Sequence, residues 1–373
     1  MKITRIETIP VQVPIKEELS IRGSRGWHRF SPFLIVKVHT DKGITGLGEV
    51  SCTPIWSGED QTTAAHFIET LISPALVGTD PTEVERAGAL LEKIVAGNAF
   101  TKAGIEMALW DILGKSANLP VYRLLGGPVR EFVTTKWSIS GEEPERAAEI
   151  GHWAKTQGFQ TMKVKVGMNP VTDVERVRAV RRAIGPQIRL GVDANGGWST
   201  SDAIQTIRRL ADQDILFAEQ PVQPFDVAWM ADVRRQVQVP VMADESLYTL
   251  HDAMKLVRAG AADIFSIYVG KSGGIGPARK IAAVAEAAGI SCTIGSNLEM
   301  GIASAAMIHL AMATPAINAD AFPCDIIGPL CYEGDLLKSP LKIVPGRAFA
   351  PDGPGLGVEL DEAMLERYRA RSD

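Results

Sequence analysis

Histidine and cysteine are scarce in this chain, and their scarcity narrows its chemistry. There are 6 histidines and 4 cysteines among 373 residues. Cys52, Cys292, Cys324 and Cys331 make no C-x-x-C pair, which points to free thiols in a reducing compartment. No Ser-His-Asp order and no G-x-S-x-G elbow is present, so the serine hydrolase patterns are absent. Positive charge is not in excess either. A net charge of -5 and a pI near 5.8 argue against nucleic acid and against an anionic membrane surface as partners. No apolar run reaches the roughly 18 residues that a bilayer span needs. The first residues, MKITRIETIPVQVP, alternate like a strand and lack an apolar signal core with a cleavage site. A soluble cytoplasmic protein is expected. Nucleotide signatures are also missing. Gly270-Lys271-Ser272 looks like the end of a phosphate loop, but Phe265 stands where its leading glycine belongs, and Gly141 to Arg146 lacks dinucleotide spacing.

What is present is an ordinary globular composition, 46% hydrophobic and 22% charged, long enough for two domains or one large domain with an attachment. Residues 1 to about 60 read as strands: Lys2 to Val13, Phe33 to His39 and Gly43 to Glu49. Between the first two lies a basic, aromatic loop with Arg22, Arg25, Trp27, His28, Arg29 and Phe30, a candidate lid for an anionic substrate. Ser51 to Asp60, with Trp56, is a second. Apolar spacing at i, i+3 and i+4 over 83–95 and 101–117 predicts helices, and Gly126-Gly127-Pro128 closes this first α+β block. Strand and helix then alternate. Strands are expected at 132–138, 161–166, 188–192, 215–218, 239–242, 264–269 and 290–294, with another near 316–319. Helices are expected at 144–156, 171–184, 201–213, 249–260 and 275–288. A period of about 25 to 29 residues predicts a parallel (β/α) barrel, with an open doubly wound sheet as the alternative. The expected division is a capping domain over 1–126, a barrel over 127–341, and a tail from about 342 to 373 that packs back on the cap.

Thr161-Met-Lys-Val-Lys-Val-Gly167 carries Lys163 and Lys165 on one strand face. A strand lysine more commonly sits in water at a sheet edge, but the next units change that expectation. Lys165, Asp193, Glu219, Asp244, Lys271 and Glu299 end or follow successive strands, separated by 28, 26, 25, 27 and 28 residues. In a barrel this puts all six on the rim where active sites lie. Three converging carboxylates repel unless a cation lies between them. Oxygen donors without His or Cys favour Mg²⁺ or Mn²⁺, so Asp193, Glu219 and Asp244 are the candidate metal ligands. Lys165 and Lys271 on opposite sides of the mouth could exchange a proton with the carbon next to a substrate carboxylate. Lys163 would depress the pKa of Lys165 by like charge. Asn195 can reach the metal shell or a lysine, and Glu245 is expected to support the ligands from behind.

The set Lys163-x-Lys165, Asp193-x-Asn195, Glu219-Gln-Pro, Asp244-Glu245 and Lys271-x-Gly-Gly resembles the enolase superfamily, in its muconate lactonizing enzyme subgroup of the mandelate racemase/muconate lactonizing enzyme family. The likeness covers nearly the whole chain. It implies an N-terminal α+β capping domain on a modified TIM barrel, (β/α)7β. It also implies one Mg²⁺ on Asp193, Glu219 and Asp244, with Lys165 and Lys271 as acid and base acting through an enediolate. The substrate would be a small carboxylate, and barrels of this kind are commonly homo-oligomers. Loops Arg22 to Phe30 and Cys52 to Asp60 would set specificity, which makes Arg22, Arg25 and Trp56 candidate substrate contacts. Glu299, in Ser-Asn-Leu-Glu, resembles the glutamate of cycloisomerases and of the synthase and racemase group. Dipeptide epimerases carry an Asp-x-Asp after the last strand, whereas Asp320 and Asp325 lack that spacing. None of the six histidines ends the sixth or seventh strand, which counts against an acid-sugar dehydratase. The basic lid suits a substrate with a second carboxylate, so muconate-type cycloisomerisation leads here. N-acylamino-acid racemisation or o-succinylbenzoate synthesis is the alternative. A dipeptide epimerase and a non-catalytic binding protein on the same scaffold come behind them.

Overall fold

The computed structural model describes residues 1–370. It begins with β1 (Ile3–Pro14), a short hairpin of β2 (Ile21–Gly23) and β3 (Gly26–His28), then β4 (Phe30–Thr40) and β5 (Thr45–Ser51). β1, β4 and β5 form an antiparallel sheet covered on both faces. Phe33 and Ile35 of β4 join the barrel core, while Leu34, Val36 and Val38 point the other way into the cap's own core. Two-sided burial accounts for the near-continuous apolar run Phe-Leu-Ile-Val. The helix Ala99–Ala117 lies directly on β5. A Cβ at Gly46 would come 2.1 Å from the Ala108 carbonyl oxygen, and one at Gly48 would come 1.8 Å from that of Gly104. Only glycine permits that approach.

The barrel strands follow. β6 (Val133–Thr134) is separate from β7 (Trp137–Ile139), so the single strand expected over 132–138 is divided. Then come β8 (Thr161–Lys165), β9 (Arg189–Asp193), β10 (Ile215–Glu219), β11 (Val241–Ala243), β12 (Ile264–Ile267) and β13 (Ser291–Ile294). β7 to β13 pair in chain order in one seven-stranded parallel sheet. Helices between them include Pro144–Gln157, Pro170–Ile184, Thr200–Arg209, Leu250–Ala259 and Ile275–Ala287. No regular strand forms over 316–319. The gap between β13 and β7 is closed by irregular chain instead. Asn318 N donates to the Cys292 carbonyl at 2.8 Å, Asp325 N to that of Ile294 at 2.8 Å, and Cys324 N to that of Thr134 at 2.8 Å. Pro323, with no N–H to give, interrupts any ladder there.

The tail adds β14 (Ile343–Val344) and β15 (Arg347–Ala348), the latter paired with β6. It then returns to the cap, where Gln12 N donates to the Tyr368 carbonyl at 2.8 Å and Ala370 N to that of Pro10 at 2.9 Å. The last three residues of the expected tail lie outside the described residues. Buried carboxylates of the cap cross the seam to helix starts of the barrel. Glu49 accepts from Met300 N (2.7 Å) and Ala303 N (3.1 Å). Glu106 accepts from Ile275 N and Gly276 N, both at 2.8 Å. Helix N-termini hold unsatisfied N–H groups and a partial positive charge, which these acids complete. The cap is thereby held over the barrel mouth. Among the described residues no helix is long and apolar enough to cross a membrane.

Candidate active site at the barrel mouth

Strand register assembles the site. Lys165 pairs with Asp193, Asp193 with Glu219, and Glu219 with Met242, two residues before Asp244. Lys165, Asp193 and Glu219 therefore end their strands abreast and Asp244 follows one residue past β11, whereas Lys271 lies in the short helix Val269–Ser272 beyond β12. Lys165 Nζ donates to Asp193 Oδ2 at 2.6 Å and to Asn195 Oδ1 at 3.0 Å. Lys271 Nζ bonds Asp244 Oδ1, and also the Asp244 carbonyl at 2.7 Å and that of Ser266 at 3.1 Å. Asp244 Oδ2 accepts from the Tyr268 hydroxyl at 2.8 Å. Glu245 accepts from Asn195 Nδ2 at 3.1 Å and lies 3.5 Å from Arg25 Nε. Asn195 (φ 44°), Gln220 (φ 31°) and Leu298 (φ 57°) all have left-handed backbone here, a cluster of strain of the kind that functional sites retain.

Lys163 departs from its expected part. Burial alone would lower its pKa, but Asp325 first, then Glu219 and Asp193, hold it well above the lysine range. Its amine lies 2.9 Å from Glu219, 2.9 Å from Asp325 and 3.3 Å from Asp193. Three acids offset its charge, so it exerts little like-charge pressure on Lys165; it acts as a counter-ion to the cluster. Burial pushes the Glu219 carboxyl up to about 7, against Lys163 and with the help of Asp193 and Asp244. Asp193 is also buried, yet Lys165 and Lys163 hold it below the carboxylate range. Burial, then Asp244, raises Glu245 to about 8.

As the side chains stand, no three His, Cys, Asp or Glu groups among the described residues are grouped so as to hold a metal ion. The amines of Lys163, Lys165 and Lys271 fill the spaces between the acids. The donor chemistry nevertheless fits a hard divalent cation: three carboxylates on adjacent strands, with Glu219 Oε1 buried and without a partner.

A cavity of about 340 Å³ opens above Lys165, in the size range of small-molecule sites. Lys163, Lys165, Asn195, Arg25 and Trp56 reach its wall. Trp56 stacks on Tyr268, with ring centroids 5.4 Å apart, and Tyr268 covers the Lys271 amine at 4.1 Å. Lys271 is wholly buried beneath them and is not on the cavity wall. Two expected substrate contacts lie elsewhere. The Arg22 guanidinium rests over the ring of Trp27, a wall residue, and is not itself on the wall. Glu299 turns back to accept from Ser296 Oγ and Asn297 N, which ties its own loop. His28, on the wall, is pushed down to about 4 by burial and then by Lys165. Sequence reasoning missed Asp325, which holds Lys163 and also Lys136 at 2.9 Å, because it follows irregular chain with no strand pattern. It also missed Tyr268, one residue beyond β12, where the strand-end rule would have found it.

The chain matches the family model described as mandelate racemase / muconate lactonizing enzyme, N-terminal domain, over residues 5–126. It matches the model described as enolase C-terminal domain-like over residues 145–364. It is 34% identical to muconate cycloisomerase 1 of Rhodococcus opacus, over 99% of this chain and 98% of that protein. The crystal structure of N-succinyl Arg/Lys racemase from Bacillus cereus superposes with a TM-score of 0.95 at 34% identity, covering 100% of this chain and 99% of the other. A dipeptide epimerase from Cytophaga hutchinsonii, complexed with Mg and the dipeptide D-Ala-L-Val, gives 0.93 at 32% identity and 98% of each chain.

Proposed function

The chain belongs to the mandelate racemase / muconate lactonizing enzyme family, isomerases of the enolase superfamily, and on that premise we propose that it moves the proton at the carbon beside a substrate carboxylate. Asp193, Glu219 and Asp244 would hold Mg²⁺ or Mn²⁺, which when bound neutralises that carboxylate and stabilises the charge left as the proton departs. Lys165 reaches the cavity wall and is the acid/base, with Asn195 and Asp193 orienting its amine. Asp325 keeps Lys163 charged beneath the acids, and Trp56 with Tyr268 keeps water from Lys271.

Racemisation of an N-acylated α-amino acid is the reading the site supports best. The observation that carries it is a lysine amine at each end of the acid cluster, Lys165 at Asp193 and Lys271 at Asp244, as two-sided proton exchange requires. The basic lid, the ground for expecting a second carboxylate, gives less support than its composition promised, since Arg22 and Arg25 are engaged elsewhere. One observation favours cycloisomerisation as a second reading: Lys271 is fully buried and off the cavity wall, which leaves Lys165 as the one of this pair that reaches the cavity. The test supplies enantiopure N-acetyl amino acids in D₂O, and separately cis,cis-muconate, to enzyme with Mg²⁺. Loss of the α-proton signal with loss of optical rotation is expected from the first set. Muconate absorbance falling without α-exchange would select the second reading. Lys165→Ala should lower exchange about 10³-fold with an unchanged thermal midpoint; an active variant removes Lys165 as the base.

A further inference from the structure

We propose that the substrate of this site carries a single carboxylate and an uncharged, apolar remainder, seated between Leu298 and Ile327 on the barrel side and Phe30 and Ile55 on the cap side. This rests on the proton-transfer reading above and deepens it by fixing what lies beyond the reacting carbon.

Apart from Arg29 at the rim, the charges on the cavity wall already have partners. Arg25 is committed to Glu245 and, at 3.4 Å from Nε, to the Asn195 carbonyl. Asp325 is held by Lys136 and Lys163. Arg29 is on the wall at its exposed rim, its guanidinium 4.8 Å from the Trp27 ring centre and with no carboxylate partner among the described residues. The neutral polar groups on the wall are engaged as well. The Asn297 amide donates to Ser51 Oγ at 3.1 Å and Thr53 Oγ1 at 2.9 Å, and His28 bonds Ser31. That leaves the Lys165 end for a carboxylate. A second charge placed against the far wall would lose its water without gaining a partner.

That far wall is built from apolar side chains, and one is held there against its backbone preference. Leu298 adopts φ 57°, uncommon for a bulky residue. The Tyr332 hydroxyl donates to its carbonyl at 2.5 Å. A Cβ at position 328 would come 2.0 Å from the Glu299 carbonyl oxygen, so Gly328 lets the Ile327 segment close on the Leu298 loop. Leu298 and Ile327 thus stand side by side as a fixed surface. On the same cavity wall, from the cap, Phe30 and Ile55 are 56% and 57% exposed, apolar area that a ligand of matching character would cover.

Calorimetry on the Mg²⁺-loaded protein tests this with two acids of equal main-chain length, 4-methylpentanoate and pentanedioate. The monoacid should bind at least about tenfold more tightly. A diacid that binds equally or better overturns the proposal. Ile327→Lys, which adds a cation to the wall, should invert the order. Should that variant not fold, Leu298→Ala should weaken the monoacid about fivefold and leave the diacid unchanged; equal weakening of both also overturns it. Binding is read without turnover. Failure to exchange any α-proton with the binding order intact therefore defeats the proposed reaction alone, and a reversed order defeats this inference even in an active racemase.

Discussion

Two sets of buried carboxylates, one in the seam between cap and barrel and one at the barrel mouth, are made of the same groups and differ in their partners. Glu49 and Glu106 each receive two backbone N–H groups at the start of a barrel helix, and Glu106 also receives Trp110 Nε1. Every oxygen of theirs has a donor, all from fixed backbone or indole. Asp193, Glu219 and Asp244 instead face one another and face lysines, and Glu219 keeps an oxygen with no partner. A buried acid saturated by backbone is a joint. One matched by ammonium groups can exchange those partners for an ion and a substrate.

Substitution at each place should break that contrast in a different observable. Asp244→Asn is expected to have the largest effect, weakening Mg²⁺ binding about 100-fold or more by calorimetry while the thermal midpoint of the metal-free protein stays within a few degrees. Unchanged Mg²⁺ affinity would remove Asp244 from the ligand set. Glu106→Ala should do the reverse. It strands the N–H groups of Ile275 and Gly276, costing about 2–4 kcal/mol in chemical denaturation, with Mg²⁺ affinity unaltered.

Titration sharpens the comparison further. Burial raises the Glu49 carboxyl to about 8 and that of Glu106 to about 7, against ordinary values of 4.5. The folded state therefore binds these protons more tightly than the unfolded chain. Their contribution to stability is complete below pH 4.5 and is lost as pH rises through 7 to 8. In Mg²⁺-saturated protein, wild type should lose more than about 1 kcal/mol of stability relative to Glu49→Gln between pH 5 and 8. Parallel profiles would show that Glu49 is ionised throughout. The smallest effect belongs to Arg22→Ala, which removes an exposed cation–π contact worth about 0.5–1 kcal/mol and should leave KM within about twofold.

The barrel was legible because each βα unit repeats two local patterns, an apolar strand and an amphipathic helix. Glu219 and Asp244 could be placed without coordinates since a strand end and its distance from the next are properties of the chain itself. The 316–319 strand failed for a related reason. Its alternation is real, but Pro323 and the bonds from Asn318 and Asp325 close the barrel through irregular backbone, which leaves no periodic trace. Glu299 and Arg22 were chosen on residue type alone, and residue type does not show that the carboxylate braces its own loop or that the guanidinium lies on a tryptophan.

Sequence alone determined the family, the barrel and the chemical inventory at its rim, since residue spacing and strand periodicity are one-dimensional and survive any arrangement of the lids. Tertiary structure decided which charges remain free. Whether Arg25 meets a substrate or Glu245, whether Lys163 presses on Lys165 or is held by Asp325, and whether the wall at Leu298 is apolar depend on distances between segments far apart in the chain. Electrostatic and burial energies follow those distances, not residue order.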